Sequence, residues 1–313
     1  MDADADADAA EVLIVGSLNM DLIALAPRLP RLGETVLGTR YTTSFGGKGG
    51  NQAVAAARLG AHVSMIGRVG SDGYGATLRQ ALVEEDIDCE AIGTDREHAT
   101  GVALITVDES GRNTIVVIPG SNARLQPAEL EAQRTLFERT RIVVCQLETP
   151  LATVTSAVAL GARLGKFVIL NPAPAPEPSA LEPALLRQVN LLVPNDVEAA
   201  RLSGIAVESV PQAMEAARIL HSRGAREVIV TLGEQGLVHS RDGVPQHHRA
   251  RAVQAVDATA AGDTFIGALA AALAQGESMA RAIAIGQVAA SIAVSRIGAQ
   301  NSIPRRAEVM ARL

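Results

Sequence analysis

The 313-residue chain has no tryptophan, two tyrosines and four phenylalanines, so aromatic residues make up only 2% of it. Single-stranded nucleic acid is usually held by stacking bases on aromatic platforms, and this chain has too few to build one. A net charge of −6 argues equally against a general phosphate-backbone binder. Lysine is nearly absent: Lys48 and Lys166 are the only two among 28 basic residues. The two cysteines, Cys89 and Cys145, fit no metal-binding spacing, and Cys145 ends an apolar run as a core residue would. The longest apolar runs, such as 268–274, fall far short of the roughly 20 residues that span a bilayer. The opening Asp-Ala repeat has neither the basic start nor the apolar core of a signal peptide. It predicts a disordered acidic tail over residues 1–10. The expectation is a cytoplasmic protein without nucleic-acid or membrane partners.

What is present is a large stock of apolar residues, 48% of the chain, enough for one sizeable α/β domain over residues 11–313. Val12-Leu13-Ile14-Val15 reads as a buried parallel strand. From residue 49 onward, helical stretches (49–59, 74–85, 127–137, 151–164, 197–202, 211–223) alternate with strands (62–67, 142–147, 167–170, 191–193, 228–231). Residues 236–239 and parts of the stretch before 256 add edge strands, and helices over 260–275 and 279–295 close the chain. This rhythm predicts βαβ units: a doubly wound, mainly parallel sheet flanked by helices. Two pieces break it. Strands over 21–24 and 35–41, separated by Pro27, Pro30 and Gly33, and a hairpin over 101–107 and 113–118, do not suit a parallel core. They predict a small antiparallel β lid inserted as segments of about 17–45 and 100–119.

No stretch fits the P-loop or the G-x-G-x-x-G dinucleotide pattern, which removes the two commonest phosphate cradles. The small-residue run 257–263 instead leads into an Ala-rich helix. Ala260, Ala261 and Gly262 leave the backbone approachable, and the first N–H groups of that helix lack intrahelical partners. Such a helix start holds an anion. Asp263 beside it reads either as an N-cap or as a general base next to a phosphate site. Gly46-Gly47-Lys48-Gly49-Gly50-Asn51 reads as a hinge, a ligand loop, or both. Asn195 with Glu198 is equally a helix cap.

Asp257-Ala258-Thr259-Ala260-Ala261-Gly262-Asp263-Thr264-Phe265 closely resembles the C-terminal signature of the ribokinase family of carbohydrate kinases. Phe45-Gly46-Gly47-Lys48-Gly49-Gly50-Asn51-Gln52-Ala53 resembles its N-terminal signature, and the likeness runs from about residue 12 to 304. The resemblance implies ATP-dependent phosphorylation of D-ribose at its 5-hydroxyl, with another small sugar or a nucleoside as the alternative acceptor, or a non-catalytic sugar-binding relative. It casts Asp263 as the base and the amides around Ala260, Ala261, Gly262 and Asp263 as the anion hole. It assigns the sugar to Asn19, Asp21, Gly47, Lys48, Asn51 and Glu148. ATP falls to Asn195, the loop Thr231-Leu232-Gly233-Glu234-Gln235-Gly236, Gly262 and Gln287, and Mg²⁺ to Glu198, directly or through water. K⁺ falls to Asp257, Thr259, Ala293, Arg296, Gly298 and Ser302, mainly through backbone carbonyls. A homodimer through the lid is implied as well. Ala258, Gly50, Ile266 and Asn301 depart from residues common in the family.

Overall fold

The computed structural model describes residues 12–313, and the acidic repeat lies outside them. In chain order the strands are β1 (Val12–Val15), β2 (Asn19–Ala26), β3 (Arg40–Gly46), β4 (Val63–Gly70), β5 (Ile87–Asp88), β6 (Ile92–Asp95) and β7 (Gly101–Asp108). They continue with β8 (Asn113–Ile118), β9 (Ile142–Cys145), β10 (Phe167–Leu170), β11 (Leu191–Leu192), β12 (Glu227–Thr231), β13 (Leu237–Arg241) and β14 (Val244–His248). The main sheet runs β14-β13-β12-β11-β10-β9-β1-β4-β5, with β6 paired to β4. From β12 across to β5 every pairing is parallel, and only the β12-β13-β14 edge is antiparallel.

The central strands are apolar at every position because both faces of the sheet are covered. Val12 and Ile14 pack into one core with the helices Lys48–Arg58, Ala261–Ala274 and Met279–Ala293. Leu13 and Val15 point the other way, into a second core with Leu151–Arg163 and Val210–Ser222. Alternate side chains of one short strand therefore bind the two helical layers together.

The lid is a separate sheet in the order β3-β2-β7-β8. Its outer pairs are antiparallel, whereas the central pair β2–β7 is parallel. Both outgoing strands leave strands that lie parallel in the main sheet, β1 and β6, so they start in the same direction. The strand expected over 35–41 is displaced: residues 35–39 carry no strand, and β3 begins at Arg40. Pairing of β2 with β3 is anchored at its other end, Asn19 opposite Gly46, and the ladder runs out at Leu25 opposite Arg40. The helix expected over 127–137 is two short ones, Pro127–Ala132 and Arg134–Arg139.

Candidate active site

Because β1, β9, β10, β11 and β12 run parallel, their C-terminal ends lie along one edge, where ligands of open α/β sheets bind. At the end of each apolar strand, or within three residues beyond it, stands a polar side chain. In spatial order these are Thr231 (β12), Asn195 (β11), Asn171 (β10), Gln146 and Glu148 (β9), and Ser17 (β1). The N-termini of the helices Lys48–Arg58 and Ala261–Ala274 converge on the same edge. Between them lies a cleft of about 190 Å³ lined by Lys48, Asn171, Asn195, Glu198, Ala260–Asp263 and Ile266, among others.

Asp263 sits in the first turn of its helix, 8% exposed. Its Oδ2 accepts a hydrogen bond from Asn51 Nδ2 at 3.0 Å, and its Oδ1 accepts one from Gln52 Nε2 at 2.9 Å. The expected N-cap role is not what the side chain does: the N-cap is Ala260, and Asp263 turns away to the other helix. Burial raises its pKa above the ordinary carboxylate value, against the opposing pull of Lys48 and the two amides. A carboxylate so placed is a stronger proton acceptor than one in water.

The residue before that helix is strained. Ala260 adopts φ 58°, a left-handed conformation uncommon for a side-chain-bearing residue. Its carbonyl accepts from both the N–H and the hydroxyl of Thr264, at 2.8 Å each, which holds the turn. The Ala261 N–H, expected in the anion hole, instead donates to the Ala258 carbonyl at 3.2 Å, and among the described residues none accepts from the N–H groups of Gly262 and Asp263. The space where a Gly262 side chain would project is open. Unpaired amides, a helix N-terminus and clearance above them fit a phosphoryl group.

At the β1–β9 end, Glu148 Oε2 accepts from Ser17 Oγ at 2.5 Å and from the Lys48 N–H at 3.1 Å. Asp21 faces the same space from β2. Burial, with the nearby Glu148 and Asp263 charges, pushes its pKa up to about 7. Lys48 is the counter-charge: burial alone would lower its pKa, but Asp263, Glu148 and Glu198 outweigh that and leave it raised. Asn51 Oδ1 is buried without a hydrogen-bond partner, an acceptor fit for a ligand hydroxyl. Gly47 bends into the helix at φ 84°, and a Cβ there would lie 2.7 Å from the Asn19 amide.

At the β11–β12 end, Asn195 and Glu198 form a reciprocal capping box, with Glu198 N donating to Asn195 Oδ1 and Asn195 N donating to Glu198 Oε2, both at 2.8 Å. Burial raises the Glu198 pKa. The cap reading of this pair is realised, and both residues also line the cleft. The loop 231–236 turns beside it: the Thr231 N–H donates to Pro194, and Leu232 N–H to Gly236. Leu232 is buried, whereas Gly233, Glu234 and Gln235 are exposed. Gln287 donates to the carbonyls of His248 and Arg249, at 3.4 and 3.1 Å, behind that loop.

The six residues expected around a monovalent cation fall in two segments that meet. Asp257 Oδ2 accepts from the Gly298 N–H, while its Oδ1 accepts from the amide and hydroxyl of Thr259. Val256 and Asp257 both donate backbone N–H groups to the Val294 carbonyl. The Arg296 side chain is engaged by Glu308, which leaves only its backbone for an ion. Ser302 Oγ donates to the Ala299 carbonyl, and Ala293 is buried.

Several site residues escaped the sequence reading. Gln52, Gln146 and Asn171 form a buried amide cluster behind Asp263. Asn122 clasps the start of the lid: it accepts from the Leu18 N–H and donates to the Leu18 carbonyl and to Asn19 Oδ1. The available signal was a polar residue ending each apolar strand; nothing in the local pattern marks Asn122.

A lidded α/β cleft, with a buried carboxylate next to unpaired helix-start amides and a row of polyol-type partners, is the layout of a phosphotransferase acting on a small hydroxylated molecule. The chain belongs to the pfkB family of carbohydrate kinases, whose family model matches residues 9–306. It is similar to the ribokinase of Haemophilus influenzae, at 40% identity over 297 residues, covering 95% of this chain and 96% of that one. Mouse ribokinase is 37% identical over 306 residues, covering 96% and 94%. Among solved structures, Arabidopsis thaliana ribokinase complexed with ribose and ATP superposes with a TM-score of 0.89 at 30% identity, covering 97% and 98%.

Proposed function

We propose that the protein transfers the γ-phosphoryl group of ATP to the 5-hydroxyl of D-ribose, giving D-ribose 5-phosphate and ADP. The observation that carries this reading is Asp263, buried and amide-held, one residue from the open amide of Gly262. Asp263 takes the proton as the sugar oxygen bonds to the γ-phosphorus and the bond to the ADP oxygen breaks. The Gly262 and Asp263 amides, fixed beforehand, stabilise charge on the phosphoryl oxygens. Asn19, Asp21, Gly47, Lys48, Asn51 and Glu148 hold the sugar at the β1–β9 end. Asn195, the loop 231–236 and Gln287 hold the nucleotide at the β11–β12 end, so donor and acceptor meet beneath the helix start. Closure of the lid keeps out water, the competing acceptor.

Mg²⁺, when bound with ATP, neutralises phosphate charge, and the Asn195–Glu198 pair is the donor set beside the cleft that suits it. A coupled ADP-release assay across ribose, deoxyribose, fructose and adenosine tests the reading. Ribose is expected to give the highest kcat/KM, and preference for adenosine, or no turnover of any sugar, would overturn it.

K⁺ is proposed to sit between the 257–259 and 293–302 segments, ordering the loop that presents Ala260 to Gly262. Support comes from the meeting of those segments through Asp257. Initial rates should be higher in K⁺ than in tetramethylammonium at equal ionic strength. Equal rates in K⁺-free preparations would remove the ion from the account.

The lid also supports a homodimer. All six residues of β8 are exposed, Ile115, Val116, Val117 and Ile118 among them, on an edge strand of the lid sheet. Such an edge is usually covered. Light scattering should give twice the 32.4 kDa chain mass, and Val116→Glu combined with Ile118→Glu should shift it toward one chain. A single-chain mass for the unaltered protein at micromolar concentration would contradict the dimer.

A further inference from the structure

We infer that Gln52 is a positioning residue for the Asp263 carboxylate, held in the required orientation by Gln146. Gln52 is wholly buried on the helix Lys48–Arg58 and does not line the cleft, so it does not touch substrate. Its Nε2 donates to Asp263 Oδ1 at 2.9 Å and lies 3.3 Å from Asn171 Oδ1. Its Oε1 accepts from Gln146 Nε2 at 2.6 Å. Asn171 is fixed in turn by donating to the Val193 carbonyl at 2.9 Å. The chain has a direction. A turned Gln52 amide would set an oxygen against the Asp263 oxygen, and a turned Gln146 would set one against Gln52. Each amide therefore keeps the next one pointing its N–H toward the carboxylate.

The arrangement carries a cost that a merely structural contact would not need. Gln146 Oε1 is buried and has no partner. Gly16 leaves room for it: a Cβ there would lie 2.0 Å from that oxygen and 2.9 Å from the Gly49 Cα, a backbone atom. What results is a carboxylate whose plane is fixed by Gln52 on one oxygen and Asn51 on the other, 211 and 212 residues away in the chain. Hydrogen bonds to the ionised form also favour it over the protonated one. The other charged groups facing Asp263 are Lys48 from the start of the same helix as Gln52, Glu148 after β9, Asp21 on β2 and Glu198 on the helix Asp196–Ser203. None of these is changed by altering Gln52.

The inference rests on Asp263 being the base of a sugar kinase, and the test separates the two. Gln52→Met keeps length and removes the amide; Gln146→Met removes the donor to Gln52 Oε1 and leaves Asn171 Oδ1 as the other neighbour orienting that amide. Melting curves establish that each variant is folded, and pH–rate profiles are recorded with saturating Mg-ATP. Gln52→Met should lower kcat by about 10- to 100-fold with the ribose KM little changed. The acidic limb of its kcat/KM profile should move up by about one pH unit, since protonation of Asp263 becomes easier. Gln146→Met should move both in the same direction by less. A folded Gln52→Met with the limb and kcat of the unaltered enzyme would overturn the inference. If Gln52→Met does not fold, the same result from a folded Gln146→Met would overturn it. Absence of activity in the unaltered protein would instead contradict the kinase reading itself.

Discussion

Asp263→Asn is expected to lower kcat by roughly 10²- to 10⁴-fold, the range over which a positioned general base accelerates proton transfer. The substitution keeps the size of the side chain and removes its basicity. It also removes a charge that burial disfavours, so the folded state should not suffer a large loss. Ribose binding should weaken less than turnover, because Asn19, Asp21 and Glu148 remain. Steady-state kinetics with calorimetric ribose binding read the two effects separately. A folded variant turning over at near the original rate would show that the proton goes elsewhere.

The second large effect is expected at Gly49, far from Asp263 in sequence. A Cβ built on Gly49 lies 2.6 Å from the Ser17 amide nitrogen and 2.7 Å from the Gly16 carbonyl carbon, both backbone atoms that cannot swing aside. The helix Lys48–Arg58 docks on the end of β1 at this point, its Gly50 N–H donating to the Ser17 carbonyl at 3.0 Å. Gly49→Ala must therefore push the helix start away from β1. Overpacking of this kind costs about 1–3 kcal/mol. The activity should fall further than stability implies, by about 10²-fold, because Lys48, Asn51 and Gln52 move together with the helix. Gly73→Ala is the comparison, since open space surrounds that position, and it should leave both melting temperature and kcat nearly unchanged. Equal behaviour of the two variants would show that close docking of helix on strand does not set the site.

The parts of this molecule that could be read from sequence are those written in neighbouring residues. The strands β1, β9 and β10 are continuous apolar runs because both faces are covered, and β9 and β10 end directly before a polar residue, β1 before Gly16 and Ser17. The two signature stretches likewise placed Lys48, Asn51, Gly262 and Asp263, which the structure brings into one cleft or into direct contact. What stayed hidden depends on distant pairing. The start of β3 is decided by its register with β2, whose far end is pinned at Asn19 and Gly46; the β-rich look of 35–41 had no partner strand to satisfy. Parallel pairing of β2 with β7 follows from the directions of β1 and β6, which no local pattern encodes. Asn122 is in the same position: the Leu18 backbone and Asn19 Oδ1 that its side chain holds lie 104 and 103 residues away.

The central claim is that the cleft joins a phosphoryl group to the primary hydroxyl of the sugar, with Asp263 as base. Incubation with Mg-ATP and ¹³C-labelled ribose, followed by ³¹P and ¹³C NMR of the products, tests it most directly. The expected spectrum shows one phosphate ester, coupled to carbon 5, with ADP formed in equal amount. Phosphate on the anomeric carbon, or free inorganic phosphate with unchanged ribose, would contradict the account.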